Sequence, residues 1–142
     1  MIDLRQGDCL ELMKEIPNES IDMILCDLPY GTLAHKWDEI IDFNKLWAEY
    51  TRIIRDNGAI VLFATQPFTS KLISSNYDLY RYAWVWVKDG GTNFLNANYM
   101  PLKNTEDICV FSKGKVGSLA KNPIRYFPQD VIEVNVEKCN NP

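Results

Sequence analysis

The chain is poor in the residues that build metal and redox centres. Its 142 residues contain one histidine, His35, so a metal site needing two imidazoles is excluded and any Ser-His or Cys-His pairing would depend on that single ring. The four cysteines, Cys9, Cys26, Cys109 and Cys139, include no C-x-x-C pair, which removes the spacing of zinc and dithiol sites and leaves reduced thiols as the expectation. No apolar run approaches the roughly 18 to 20 residues of a membrane span. The first fourteen residues carry Asp3, Arg5, Asp8 and Glu11, where a secretory signal needs an unbroken apolar stretch. A cytoplasmic location without membrane or metal is expected. Repeats and low-complexity tracts are absent as well.

What is present suits a globular unit. Apolar residues make up 46% of the chain and aromatic residues 12%, enough for one core. The net charge of −4 argues against a general electrostatic grip on nucleic acid, but the charge is unevenly placed. Residues 1–79 hold seven basic and thirteen acidic side chains, and residues 80–142 hold eight and six. Lys103, Lys113, Lys115, Lys121 and Arg125 outnumber Glu106 and Asp107 in the segment between them, which suits either a phosphate-facing surface or a solvated loop.

Periodicity orders the chain as alternating strands and helices. Ile2 to Arg5 reads as a short strand. Asp8, with Glu11 three residues on, reads as the cap of a helix carrying Leu10, Met13 and Ile16, closed by Pro17-Asn18. The run Ile21 to Cys26 has the near-continuous apolar pattern of a strand buried on both faces. Phe43, Leu46, Trp47, Tyr50, Ile53 and Ile54 repeat with a period near 3.6, predicting a helix over 43–55 that ends at Asp56-Asn57-Gly58. Ala59 to Phe63 follows as a strand, making a right-handed βαβ crossover the economical topology. A helix from Gln66-Pro67-Phe68 to about Ser75, a strand over Tyr80 to Lys88, a loop at Asp89 to Asn93 and a strand over Asp107 to Ser112 complete the first 113 residues. Residues 114–142 read as an extension, with one possible edge strand at Asp130 to Val136.

The chemistry-bearing stretch is Cys26-Asp27-Leu28-Pro29-Tyr30-Gly31-Thr32, just past a strand end. In open parallel sheets ligands collect beyond the carboxyl ends of the strands. Pro29 fixes its own φ near −65° and drives Leu28 toward extended geometry, so Asp27 and the Leu28 carbonyl are held as two acceptors beside the Tyr30 ring. Two acceptors and a stacking face match an exocyclic aromatic amine better than a hydroxyl or a carboxylate. They also favour rehybridisation of the amine nitrogen as positive charge develops in the transition state.

Asp27-Leu28-Pro29-Tyr30 resembles the D-P-P-Y signature of amino-group DNA methyltransferases, and its surroundings resemble the β-class in particular. The likeness includes Gly7-Asp8-Cys9-Leu10-Glu11, Ile16 to Asp22, Lys36-Trp37-Asp38, Gln66-Pro67-Phe68, Trp84 to Lys88, Asn93 to Ala97 and Pro101-Leu102-Lys103, reaching about residue 113. Leu28 departs from the family's proline, but the position acts through its backbone carbonyl.

The resemblance implies an α/β fold: a partial Rossmann-like S-adenosylmethionine-dependent methyltransferase fold, with a mostly parallel sheet and flanking helices. It implies a catalytic portion over residues 1–113, and an extension over 114–142 leading toward a target-recognition and donor-binding part. The implied reaction moves a methyl group from S-adenosylmethionine to N6 of an adenine flipped out of duplex DNA, with cytosine N4 kept open. Asp27, Leu28, Pro29 and Tyr30 would be catalytic. Gly7, Asp8, Cys9 and Asp27 would hold the donor, with helix capping as the competing role of Asp8. Tyr30, Lys88, Asn93, Asn96 and Lys103 would face DNA, and Trp37-Asp38 would anchor the loop after the tetrad. The family's late glycine-rich donor turn is missing from these residues, so a truncated or split enzyme is expected. Its partner would be a complementary fragment or a second copy. A noncatalytic DNA- or subunit-binding remnant, and an enzyme acting on RNA or a protein amide, are the alternatives.

Overall fold

The computed structural model describes residues 2–32, 35 and 38–129. Four strands form one sheet in the order β1-β2-β4-β3: β1 (Ile21–Asp27), β2 (Ile54–Ala64), β3 (Tyr80–Thr92) and β4 (Lys103–Phe111). Helix α1 (Cys9–Met13) precedes β1, α2 (Phe43–Ile53) links β1 to β2, and α3 (Phe68–Ser75) links β2 to β3. The β1 and β2 strands pair in parallel across the α2 crossover, as the alternating pattern predicts, whereas β4 runs antiparallel to both β2 and β3. Three strands therefore share one direction and the fourth lies reversed between two of them, giving a mixed sheet.

The helices pack on one face. Leu46, Trp47, Tyr50 and Ile53 of α2 and Phe68 and Leu72 of α3 meet Ile60, Leu62, Cys109 and Phe111 of the central strands in a single buried cluster. Trp47 stacks at 4.8 Å on Phe111 and donates its indole N–H to Ser75 at 2.8 Å, so the ring fills the core without an orphaned polar atom. Arg52 on α2 donates to the carbonyl oxygens of Met13 and Ile16 and to Asn18, tying the end of α1 to the crossover helix.

Several boundaries differ from the sequence reading. Ile2 to Arg5 is not a strand; Arg5 is drawn to Asp3 and Glu15 in exposed ion pairs, and no neighbouring strand offers it a ladder. Strand β1 is buried on one face only: Met23 is 57% and Leu25 is 60% exposed, because every described helix lies on the other side. Helix α2 ends at Ile53 and β2 starts at once, so Asp56-Asn57-Gly58 is strand rather than stop. Gly58 belongs there because a Cβ would stand 2.7 Å from the Asp22 carbonyl oxygen. Asp89 to Thr92 continue β3, since the hairpin with β4 carries the ladder on to Thr92 and Lys103. The proposed strand over Asp130 to Val136 lies outside the described residues. No helix among the described residues is long and apolar enough to cross a membrane.

The segment after β4 returns over the open face. Lys115 bridges Pro123, and Arg125, Tyr126 and Phe127 line a groove of about 410 Å³ with Met23, Leu25, Val61 and Trp84. Ser112, fully buried, donates to the Gly58 carbonyl at 2.7 Å and accepts from the Gly114 amide, which fixes where the segment leaves the sheet.

Candidate active site

The tetrad emerges from the carboxyl end of β1. Asp27 is the last residue of the strand and shares its parity with Met23 and Leu25, so its exposed carboxylate belongs to the face away from the helices. Leu28 turns the other way and is buried, 5% exposed, in the helix-packed core. One side chain thus anchors the turn while its neighbour stays in solvent.

Tyr30 closes back over the strand end. Its hydroxyl donates to Asp27 Oδ1 at 2.7 Å, and its ring lies 5.0 Å from Phe68, which in turn lies 5.9 Å from Phe43. Burial, reinforced by the hydrogen bond and charge of Asp27 and by the charge of Glu106, pushes the Tyr30 phenol well above its ordinary pKa. The phenol is therefore a donor throughout the neutral range. A carboxylate has about four acceptor positions, so one phenol O–H leaves capacity for an incoming N–H.

Beyond Tyr30 the backbone is gathered by Asp38, which is buried. Its Oδ1 accepts from the amides of Tyr30 at 2.9 Å and Gly31 at 3.0 Å, and its Oδ2 from Thr32 at 2.6 Å. Asp38 has the anchoring position expected of it, while Trp37 lies outside the described residues.

Of the residues assigned to the methyl donor, Asp27 ends β1, and Gly7, Asp8 and Cys9 lie at the start of α1. Asp8 caps the helix, its Oδ1 accepting from Leu10 at 2.8 Å and Glu11 at 3.3 Å, so the capping role has the direct geometry. Glu11 pairs with Lys14 instead of completing a capping box. Cys9 is close enough to act electrostatically on Cys26, whose thiol is pushed up chiefly by burial and also by Cys9 and Asp27. Cys9 is exposed at the start of α1, directly after the capping carboxylate of Asp8.

Of the residues assigned to DNA, Tyr30 stands in the turn after β1, and Lys88, Asn93, Asn96 and Lys103 lie on the β3–β4 hairpin and its tip. Asp27 pairs with Phe63, and the row continues through Ile108 to Trp84. The hairpin continues past that row, with Trp86 opposite Glu106, Val87 opposite Thr105 and Thr92 opposite Lys103. The four residues of β4 from Glu106 to Lys103 carry it about 13 Å beyond the end of β2, where Ala64 pairs with Asp107, at about 3.3 Å per residue. Because β3 runs in the direction of β1, this ribbon projects from the same end of the sheet as the tetrad. Asn93 and Asn96 sit at its tip, bonded to each other at 2.6 Å around a 3₁₀ turn, and Leu95 there is 96% exposed.

Lys88, assigned to DNA, is engaged within the hairpin. It pairs with Glu106 and lies 5.1 Å from the centre of the Trp86 ring. Glu106, Phe68 and the Thr69–Asp107 hydrogen bond at 2.6 Å are neighbours of the site that sequence reasoning did not assign. Lys88 and Glu106 are eighteen residues apart, and only the hairpin register reveals the pair.

No protein-family model matches the chain. Among curated proteins it is 37% identical to the type II methyltransferase M.HinfI of Haemophilus influenzae, over a stretch covering 39% of this chain and 22% of that one. It is 31% identical to the type II methyltransferase M.BamHI of Bacillus amyloliquefaciens, covering 42% of this chain and 16% of that one. The chain therefore aligns with about a fifth of the length of these relatives. Among solved structures, the complex of M1.HpyAVI with SAM superposes with a TM-score of 0.60 at 20% identity, covering 81% of this chain and 55% of that one. The PvuII cytosine-N4-specific DNA methyltransferase superposes with a TM-score of 0.55 at 14% identity, covering 77% and 48%. The fold is that of the S-adenosylmethionine-dependent methyltransferases, and this chain spans about half of it.

Proposed function

We propose that the chain is the catalytic portion of a site-specific DNA methyltransferase, which transfers a methyl group from S-adenosylmethionine to N6 of an adenine flipped out of duplex DNA. The observation that carries this reading is the exposed Asp27 carboxylate at the end of β1, with Tyr30 bonded to it and backed by Phe68. An amine N–H would donate to Asp27 and another to the Leu28 carbonyl, while the base stacks on Tyr30, recovering about 1 to 3 kcal/mol of the unstacking cost. When bound, the donor would supply an electrophilic methyl group on its sulfonium sulfur, the C–S bond breaking to leave a neutral thioether as the amine nitrogen bonds the methyl carbon. As the nitrogen gains positive charge its N–H bonds to the two acceptors strengthen, and the proton then leaves toward Asp27.

Gly7, Asp8, Cys9 and Asp27 would hold the donor, Asp8 with whatever acceptor capacity its helix cap leaves. A glycine-rich turn for the donor would come from a complementary fragment. Two features favour such an association: β1 is an edge strand among the described residues, and the open sheet face presents Met23, Leu25, Trp84 and Trp86. The β3–β4 ribbon, with Asn93, Asn96 and Lys103, would lie along the DNA beside the flipped base. Cytosine N4 is the second reading, favoured by the superposition on a cytosine-N4-specific enzyme. In a bacterial restriction-modification setting the work is cytoplasmic.

The test is transfer of labelled methyl from S-adenosylmethionine to plasmid DNA, by the chain alone and with a carboxyl-terminal methyltransferase fragment supplied in trans. Nucleosides are then resolved by mass spectrometry. N6-methyladenine is the expected product, N4-methylcytosine selects the second reading, and salt-dependent DNA binding with no transfer in either arrangement identifies a noncatalytic remnant.

A further inference from the structure

We infer that Asp38 is a positioning residue for the tetrad: by holding three consecutive backbone amides it sets where the Tyr30 ring and the Asp27 carboxylate stand relative to each other. The kinetic part of this inference rests on the methyl-transfer reading above, and the geometric part does not. The amides of Tyr30, Gly31 and Thr32 converge on one carboxylate at 2.6 to 3.0 Å, forming a concave anion-binding arrangement of successive N–H groups. Such bonds to an ionised acceptor are roughly twice as strong as neutral ones. Asp38 is only 7% exposed, so little water is available to replace them.

The local sequence is built for this convergence. Gly31 has φ +68°, which swings its N–H toward the same point as its neighbours, and a Cβ there would stand 2.9 Å from Ile40 Cγ1. The turn is consequently pinned at both ends, by the buried Leu28 side chain before Pro29 and by Asp38 after Tyr30. Residues 28–32 lie outside the sheet ladder, so no strand partner would hold these amides if the carboxylate were lost. The Tyr30 hydroxyl reaches Asp27 at 2.7 Å only while the intervening backbone keeps this path. A displacement of about 1 Å at a reacting group can cost on the order of 10²-fold in rate.

The experiment uses the full chain with Asp38→Asn, which keeps the volume and turns an acceptor into a donor facing N–H groups. Amide hydrogen exchange at Tyr30, Gly31 and Thr32 is expected to accelerate about tenfold or more, with Ile60, Leu62 and Val110 in the sheet centre unchanged. The ¹³Cζ resonance of Tyr30 should shift as the phenol leaves Asp27. In the arrangement that transfers methyl groups, kcat should fall about 100-fold with KM for S-adenosylmethionine unchanged. Unaltered exchange at residues 30–32, or acceleration spread evenly over the sheet, overturns the inference, as does full kcat with the turn loosened. Should Asp38→Asn fail to fold, Asp38→Ser, which retains one acceptor oxygen, gives the same comparison. If the wild-type chain transfers no methyl group in any arrangement, the methyl-transfer reading fails, and exchange with the Tyr30 resonance still decides the role of Asp38.

Discussion

The Tyr30 hydroxyl donates to Oδ1 of Asp27 at 2.7 Å, across the proline turn that separates them. This bond couples a stacking ring to an acceptor, so that neither moves without the other. Phe68 supports the ring from the helix side, and Asp38 holds the backbone amides of Tyr30, Gly31 and Thr32. Phe68 and Asp38 thus act on the Asp27 carboxylate through Tyr30, and the consequences can be measured singly.

Asp27→Ala is expected to reduce methyl transfer by about 10² to 10³ or more, since it removes a preorganised acceptor aimed at developing charge. The side chain is exposed, and its loss should change thermal stability by no more than about 0.5 kcal/mol. Rate assays with labelled donor, paired with unfolding curves, check both halves.

Tyr30→Phe removes only the hydroxyl and leaves the contact with Phe68. Transfer should persist within about tenfold, while Tyr30→Ala, which also removes the stacking surface worth about 1 to 3 kcal/mol, should lower it by about a further 5- to 150-fold. DNA binding to a duplex carrying 2-aminopurine in place of the target base reports the same ordering through its fluorescence.

Gly31→Ala should destabilise the fold by about 1 to 2 kcal/mol through the left-handed backbone alone, with a further cost from Ile40. Urea unfolding measures the loss, and a smaller cost of Gly31→Ala in an Ile40→Ala background than in the wild type identifies the contact as its steric part.

Alkaline pH should weaken the fold in a defined window. Burial, with the charge of Asp107 adding to it, raises the Cys109 thiol from 9.0 to about 11. The unfolded thiol ionises first, so stability is complete below about pH 9 and declines as pH rises toward 11. Unfolding midpoints at pH 8 and pH 10.5 should differ less in Cys109→Ala than in the wild type.

Lys103→Glu should weaken binding to duplex DNA across sequences and reduce the salt slope by about 1 to 2 if the ribbon lies along phosphates. Lys88→Ala should have a smaller effect on affinity, because that cation is already paired with Glu106. Anisotropy titrations over a salt series separate the two.

The sequence by itself determined the local devices: the capping carboxylate of Asp8, the amphipathic α2, the parallel β1–α2–β2 unit and the stiff turn of Leu28-Pro29-Tyr30. Each is encoded by residues within a few positions of one another, where capping, periodicity and proline geometry act directly. Only the tertiary structure decided which face of β1 is covered, how far β3 and β4 extend, and which groups meet at the site. Apolar composition makes Met23 and Leu25 candidates for burial, but a sheet face is covered only if another element arrives there, and the described helices all pack opposite. Lys88 with Glu106 and Tyr30 with Phe68 are likewise products of register and chain closure, whose partners lie too far apart in sequence for spacing to reveal them.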